Sequence, residues 1–233
     1  MPVNYEKRMT RAIIDLNLNK VKKYIDLVNI HKLTGNDNYQ LLKFLLDCDS
    51  NADNSECANI KMFEYFAENH VNIDTQDKKG TTLLMHVLSE DNYSEFIKLM
   101  VIRYSNNINL ADEKGETALE IAANKCYGSD VLDPVTIALL EKGADPYIGG
   151  EENWISYLNH PDKTSTLLKY VKVIKIEILC RAIIIGNYDV VEMLLPHVRD
   201  IKEKCRTGRT ALSYAKKAEP MNLHIIELLR TSS

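Results

Sequence analysis

One pattern is written three times along this chain. DKKGTTLLMHVL from Asp77, DEKGETALEIAA from Asp112 and CRTGRTALSYAK from Cys205 share Gly-x-Thr-x-Leu. Leu119 follows Leu84 by 35 residues and Leu212 follows Leu119 by 93, close to three further units of about 33. A fixed period of this length restricts the fold more than any other feature. Each copy is too small to bury a core of its own and becomes stable only against its neighbours.

Further copies are therefore expected between 119 and 212. LCRAIIIGNYDVVEMLL supplies one, with Leu179 in the leucine position, 33 residues before Leu212, and Ala182 in the alanine position. GEENWISYL supplies a shorter one, with Trp154 in place of the leucine. Toward the start, NYQLLKFLLD puts Leu42 in the same position and EKRMTRAIIDLNLNKVKKYI puts Met9 there, although both lack the glycine turn. Gly186-Asn187 separates LCRAIII from DVVEMLL, and helical spacing leaves one apolar face on each half. Each unit thus reads as two short helices and a turn, with approximate boundaries at 1–36, 37–76, 77–111, 112–149, 150–174, 175–204 and 205–233.

These residues resemble the ankyrin repeat family. GTTLLMHVL, GETALEIAA and GRTALSYAK match its Gly-x-Thr-Pro-Leu-His-x-Ala-Ala signature, with leucine or alanine in place of the proline. ALLEKGADPYI is similar to its Leu-Leu-x-x-Gly-Ala-Asp ending, and HVNIDTQDKKG and NINLADEKG are similar to the turn that joins its units. The resemblance implies an all-α solenoid of about six to seven helix-turn-helix units, one domain over 1–233, acting as a non-catalytic protein–protein interaction module.

The signature positions have physical uses. Gly80, Gly115 and Gly208 permit a tight turn, and Thr82, Thr117 and Thr210 can cap a helix start. Ala122, Ala123 and Ala215 allow close approach of the first helix to its neighbour, while Leu139, Leu140, Leu194, Leu195, Leu228 and Leu229 fill the layer between units. Trp154 is expected to be a core plug rather than an exposed anchor. Ile225, Ile226, Leu228 and Leu229, with the polar finish beyond them, are expected to close the stack. Two insertions, 49–59 and 126–133, are expected as loops between paired helices, and Asp133-Pro134 reads as an N-cap and first-turn proline that starts the next helix.

Composition narrows the function. Of the 233 residues 45% are hydrophobic and 27% charged, with a net charge of −4, as in soluble globular proteins. Glu6, Lys7, Arg8 and Arg11 interrupt the apolar block a secretory leader needs, and no stretch approaches the roughly 20 apolar residues of a membrane span. Cys48, Cys57, Cys126, Cys180 and Cys205 are scattered without a Cys-x-x-Cys pair, so reduced thiols in a cytoplasmic setting are expected. His31, His70, His86, His160, His197 and His224 show no zinc spacing, and His86, beside Met85, is expected to be packed or solvated. Gly149-Gly150 precedes Glu151-Glu152 without a P-loop lysine, and the modest basic patches lack interleaved aromatics. No cofactor, metal or nucleic acid is therefore expected.

A row of stacked units presents a concave surface built from turns and first helices. The resemblance implies partner contacts at the turn tips, here Lys78, Lys79 and Thr81, then Glu113, Lys114 and Glu116, then Glu151 and Glu152, then Arg206, Thr207 and Arg209. It implies further contacts on the first helices at Ser89, Glu90, Asn124, Lys125, Lys216 and Lys217. The expected partner is another protein, bound by a monomer. Irregular repeats rich in Asn, Lys and Ile are also similar to ankyrin proteins that intracellular bacteria or large viruses direct at host cells, which would place the action in the host cytoplasm. Two other functions stand beside this one: an enzyme with its site in the irregular 149–174 region or the inserted loops, and an adaptor that recruits ubiquitin or other host machinery.

Overall fold

The computed structural model describes residues 5–27, 38–47, 57–69, 71–125, 132–150, 154–217 and 223–232. Among these residues the regular structure is helical, with two short 3-10 turns, three isolated bridges and no strand. The α-helices fall into seven successive pairs: α1 (Tyr5–Ile14) with α2 (Leu18–Tyr24), α3 (Asn38–Asp47) with α4 (Ala58–Asn69), and α5 (Leu83–Ser89) with α6 (Glu95–Tyr104). There follow α7 (Ala118–Lys125) with α8 (Pro134–Glu141), α9 (Ile155–Leu158) with α10 (Pro161–Leu167), α11 (Ile176–Ile185) with α12 (Tyr188–Leu194), and α13 (Ala211–Lys217) with α14 (Leu223–Thr231). The chain is all-α, built of the helix pairs that the sequence period predicts.

Most helices here are ten residues or shorter, so their ends matter. Thr82 caps α5 by accepting the Met85 N–H at 3.1 Å, and Ser94 caps α6 through the Ile97 N–H. Asp133 caps α8 by accepting the Thr136 N–H at 2.8 Å, with Pro134 in the first turn, as its sequence predicts. Gly186 closes α11 at φ 81°, and the adjoining Asn187 caps α12. The same junction joins α1 to α2, where Leu16 takes the left-handed place at φ 49° and Asn17 provides the cap. A leucine there carries a Cβ penalty that glycine avoids.

The chain divides into two compact units, Met1–Ile121 and Ala122–Ser233. In the first, α1 packs on α2, α3 on α4 and α5 on α6, while α2 meets α4 and α3 meets α5. In the second, α9 meets α11, α11 meets α13, α10 meets α12 and α12 meets α14. First helices therefore lie on first helices and second on second, which is the packing that supports helices too short to persist alone.

The leucine position is the centre of this packing. Met9, Leu42, Trp154 and Leu179 are fully buried there, and Leu84 and Leu119 nearly so. Leu212 is only half-buried because, among the described residues, α13 has a first-helix neighbour on one side only. Leu139, Leu140, Leu194 and Leu229 are buried as expected, but Leu195 and Leu228 are half-exposed, Leu195 because it starts a 3-10 turn that leaves the helix face. Ile225, Ile226 and Leu229 seat α14 on α12 and α13, whereas Leu223 and His224 face outward.

The insertion expected over 49–59 is shorter than its sequence boundaries imply. Ala58 and Asn59 belong to the first turn of α4, and the buried Asn59 amide donates to the Leu45 carbonyl at 3.1 Å, tying α4 to α3. Residues 49–56 of that insertion and 126–131 of the other lie outside the described residues.

Trp154 shows how an irregular unit is stabilised. Helix α9 has four residues, too few to fill a layer with leucines. The indole occupies that space, fully buried, with Tyr147 at 5.3 Å and Tyr157 at 6.3 Å between ring centroids. Trp154→Ala should destabilise the chain by about 3–5 kcal/mol in urea-monitored unfolding. A loss below about 1 kcal/mol would show that the indole is not a core residue.

Candidate partner-binding site

Each well-formed turn is held by one side chain. Asp77 accepts the N–H groups of Lys79 and Thr81 on a single carboxylate oxygen, at 2.8 and 2.9 Å. Its own N–H donates to the Thr81 carbonyl and its carbonyl accepts the Gly80 N–H. Asp112 repeats the arrangement with Lys114 and Glu116, again at 2.8 and 2.9 Å. Gly80 and Gly115 supply the positive φ the turns need, at 76° and 83°.

Successive turns in the first unit are bonded to each other. The Glu113 N–H donates to the Lys79 carbonyl at 3.0 Å, and the Gln76 amide reaches the carbonyls of both Gly80 and Ala111. Asp74 accepts the N–H groups of Asn106 and Asn107, at 2.8 and 3.0 Å, one repeat further on. The approach at Gly80 is so close that a Cβ would sit 3.1 Å from Asp112 Cα, whereas at Gly115 it would meet nothing within 4 Å.

This framework decides which expected site residues project from the surface. Lys78, Lys79, Glu113 and Lys114 are exposed on the two rigid tips. Thr81 and Glu116 are half-buried, because their backbone N–H groups are drawn back to the aspartates. Ser89, Glu90, Asn124 and Lys125 are exposed at the C-terminal ends of α5 and α7, and the Ser89 hydroxyl donates to the carbonyl of His86 in its own helix. A first helix of seven or eight residues separates each tip from these ends by about 10–12 Å. In the second unit Arg206, Thr207, Arg209, Lys216 and Lys217 are exposed, with the Arg209 guanidinium 5.8 Å from the Tyr214 ring centroid. Glu151 and Glu152 lie outside the described residues.

A polar cluster that the sequence pattern did not single out joins α3 to α5. Lys43 Nζ lies 2.9 Å from His86 Nε2, Tyr93 hydroxyl is 3.3 Å from the same nitrogen, and Tyr93 also hydrogen-bonds the Asp47 carboxylate. Tyr39 packs edge-on against the His86 ring, with centroids 6.4 Å apart. The available signal is positional: Lys43 and His86 follow the buried Leu42 and Leu84 by one and two residues on neighbouring first helices. Burial lowers the His86 pKa, and the Lys43 charge lowers it further, against the opposing pull of Asp47, Glu90 and Asp77. Burial, then the hydrogen bond and charge of Asp47, push the Tyr93 hydroxyl well above its ordinary range. Neutral His86 accepts from Lys43, and this is a packed, structural histidine.

Among the described residues no group of three or more His, Cys, Asp and Glu side chains is placed to hold a metal ion, and no helix is long and apolar enough to cross a membrane. The sequence matches the family model described as ankyrin repeats, three copies, over residues 30–149, just over half of the chain. No curated protein matches it. A chain in the solved structure of the Bd0816 predatory endopeptidase from Bdellovibrio bacteriovorus in complex with immunity protein Bd3460 is 22% identical. That match covers 81% of this chain and 97% of the other, with a TM-score of 0.49.

Two predictions test this geometry. Gly80→Ala should destabilise the chain more than Gly115→Ala, by roughly 1 kcal/mol or more, since both strain a positive φ but only the first also drives a Cβ into the next turn. Equal losses in chemical denaturation would contradict the turn-to-turn contact. His86, held neutral by its depressed pKa, stabilises the fold fully above its unfolded pKa near 6.5, and that contribution is lost as pH falls through the folded value. His86→Gln should therefore lose less thermal stability than the parent chain between pH 7 and pH 5. A parallel decline would remove His86 from the titration.

Proposed function

The chain belongs to the ankyrin repeat family, and from that membership we propose that it is a protein-binding module that contacts its partner through turn tips and first-helix ends. The family is generally non-catalytic, and its repeats serve protein interaction. The observation that carries the site assignment is the pair of aspartate-held turns, which keep Lys78, Lys79, Glu113 and Lys114 exposed on backbone already fixed by hydrogen bonds. Exposed charge on a rigid turn binds with little loss of conformational freedom. Asn124 and Lys125 on α7, Arg206, Arg209 and Lys216 in the second unit, and Glu151 and Glu152 complete the proposed set.

The charges are mixed in sign, Lys78 and Lys79 followed by Glu113 and then Lys114, so the partner surface is one of mixed charge. Association with it should slow as salt rises. On this reading residues 1–233 are one repeat domain that acts as a monomer in the cytoplasm. Composition rich in Asn, Lys and Ile supports a protein of a host cell as the partner and the host cytoplasm as the compartment.

The test is affinity capture from source-cell and candidate host-cell lysates, using the parent chain and a variant carrying Lys78→Ala, Glu113→Ala, Glu151→Ala and Arg206→Ala together. A partner retained by the parent and lost by at least tenfold from the variant, about 1.4 kcal/mol, supports the assignment. A partner held equally by both places binding on another face.

A further inference from the structure

The third turn departs from the other two in one residue. Cys205 stands where Asp77 and Asp112 stand, with the same backbone: its N–H donates to the Arg209 carbonyl at 2.9 Å and its carbonyl accepts the Gly208 N–H at 2.8 Å. The backbone N–H groups of Thr207 and Arg209, two and four residues on, help to hold the sulfur as an anion. Two hydroxyls complete the surround. Thr207 Oγ1 lies 3.0 Å from the sulfur, and the Tyr214 hydroxyl is 2.6 Å from Thr207 Oγ1 and 3.7 Å from the sulfur. An anionic sulfur accepts from these hydroxyls, and between Thr207 and Tyr214 either oxygen can be the donor.

A site built for a carboxylate favours an anion. Desolvation pushes the Cys205 thiol up, but the hydrogen bonds from Thr207, from Tyr214 and from the two backbone N–H groups outweigh it and bring the group down to about 7. On the neighbouring helix α11 a second thiol faces it. Cys180 is buried and hydrogen-bonded to Cys205, and desolvation, the Cys205 charge and Glu177 push it up to about 12. Both sulfurs line one cavity of about 260 Å³, together with Glu177, Arg181, Arg206 and Tyr214. Neither cysteine is in a disulfide.

We propose that Cys205 is a peroxide-reactive thiolate and Cys180 its resolving thiol, forming a disulfide between the turn and α11 on oxidation. The Cys205 thiolate attacks one oxygen of hydrogen peroxide. The S–O bond forms, the O–O bond breaks, and hydroxide leaves, giving the sulfenic acid. Oxidation removes the negative charge that helps to hold the Cys180 proton. Cys180 gives that proton to the hydroxide and attacks the Cys205 sulfur; the S–S bond forms and the S–O bond breaks, releasing a second hydroxide that leaves as water on taking a proton from solvent, which restores the proton lost when Cys205 ionised. Two thiols and one peroxide thus give one disulfide and two waters. The oxidised sulfur no longer serves as the anionic acceptor of the Thr207 and Arg209 N–H groups, so the tip that carries Arg206 and Arg209 loosens when the pair is oxidised.

The experiment treats the reduced full-length chain with equimolar hydrogen peroxide at pH 7, blocks remaining thiols with iodoacetamide, and maps peptides by mass spectrometry. The expected product is a Cys180–Cys205 cross-linked peptide pair, lighter by two hydrogens, while Cys57 remains alkylatable. Cys180→Ala should leave a sulfenic acid at Cys205 that dimedone captures. Cys205→Asp, which restores the residue of the other two turns, should fold and leave Cys180 reduced. Thr207→Ala and Tyr214→Phe should move the pH midpoint of Cys205 alkylation upward. At pH 7 a thiol titrating near 7 is about half ionised against a few per cent for an ordinary one, and lower nucleophilicity returns part of that gain. Alkylation at Cys205 should therefore run about threefold faster than at an unperturbed cysteine. Oxidation spread evenly over the cysteines overturns the proposal. So does a dimedone adduct at Cys205 of the parent chain with Cys180 still alkylatable, which removes the resolving role.

Discussion

Hydrogen bonding from backbone N–H groups to one acceptor side chain is what holds each well-formed turn of this chain together. A turn that reverses the backbone within five residues leaves N–H groups with no helical partner, and in the first unit Asp77 and Asp112 collect them on a single oxygen. The left-handed glycine completes the reversal. From there the next helix starts in register, capped by Thr82 in one repeat and bonded at Thr117 in the following one. Turn geometry therefore sets where each first helix begins, and that start sets which residue reaches the buried leucine position.

Seven- to ten-residue helices do not persist alone, so the turn is only half of the mechanism. The other half is the layer between helices, where Met9, Leu42, Leu84, Leu119, Trp154 and Leu179 occupy equivalent places with different volumes. Tolerance of leucine, methionine and tryptophan at one position is intelligible because the neighbouring segments adjust in length. The shortest of the described helices, α9, is preceded at its N-cap by the largest side chain, Trp154. Layers of this kind leave the outer turn residues free to vary, and recognition then resides in residues that contribute little to the fold, such as Lys78 and Glu113. The acceptor in the third turn shows the limit of that freedom. There Cys205 stands in place of the aspartate and keeps the backbone bonds of the turn, its N–H to the Arg209 carbonyl and its carbonyl to the Gly208 N–H.

The period, the glycine turns and the capping threonines were legible because each depends on residues within five positions of one another. The helix pairing and the buried leucine position followed from the spacing alone. What escaped depends on contacts across repeats. Asn59 reads as part of a polar insertion, yet its amide bridges to Leu45 and makes it part of a helix. His86 reads as a packed or solvated histidine, and the Lys43–His86–Tyr93–Asp47 cluster that holds it draws residues from 43 to 93 together. Thr81 and Glu116 read as exposed tips and are drawn inward by their own turns.

The amino-acid order by itself determined that this protein is a set of helix pairs, since the repeat length forbids any unit from having a private core and the turn chemistry is local. Tertiary packing alone decided which polar groups meet: that Gly80 abuts the following turn, that a lysine and a tyrosine share one imidazole nitrogen, and that two cysteines 25 residues apart face one cavity. The reason is that adjacency between repeats depends on the angle and distance at which one pair settles on the next. Those are set jointly by many side-chain volumes, and no single stretch of the chain encodes them.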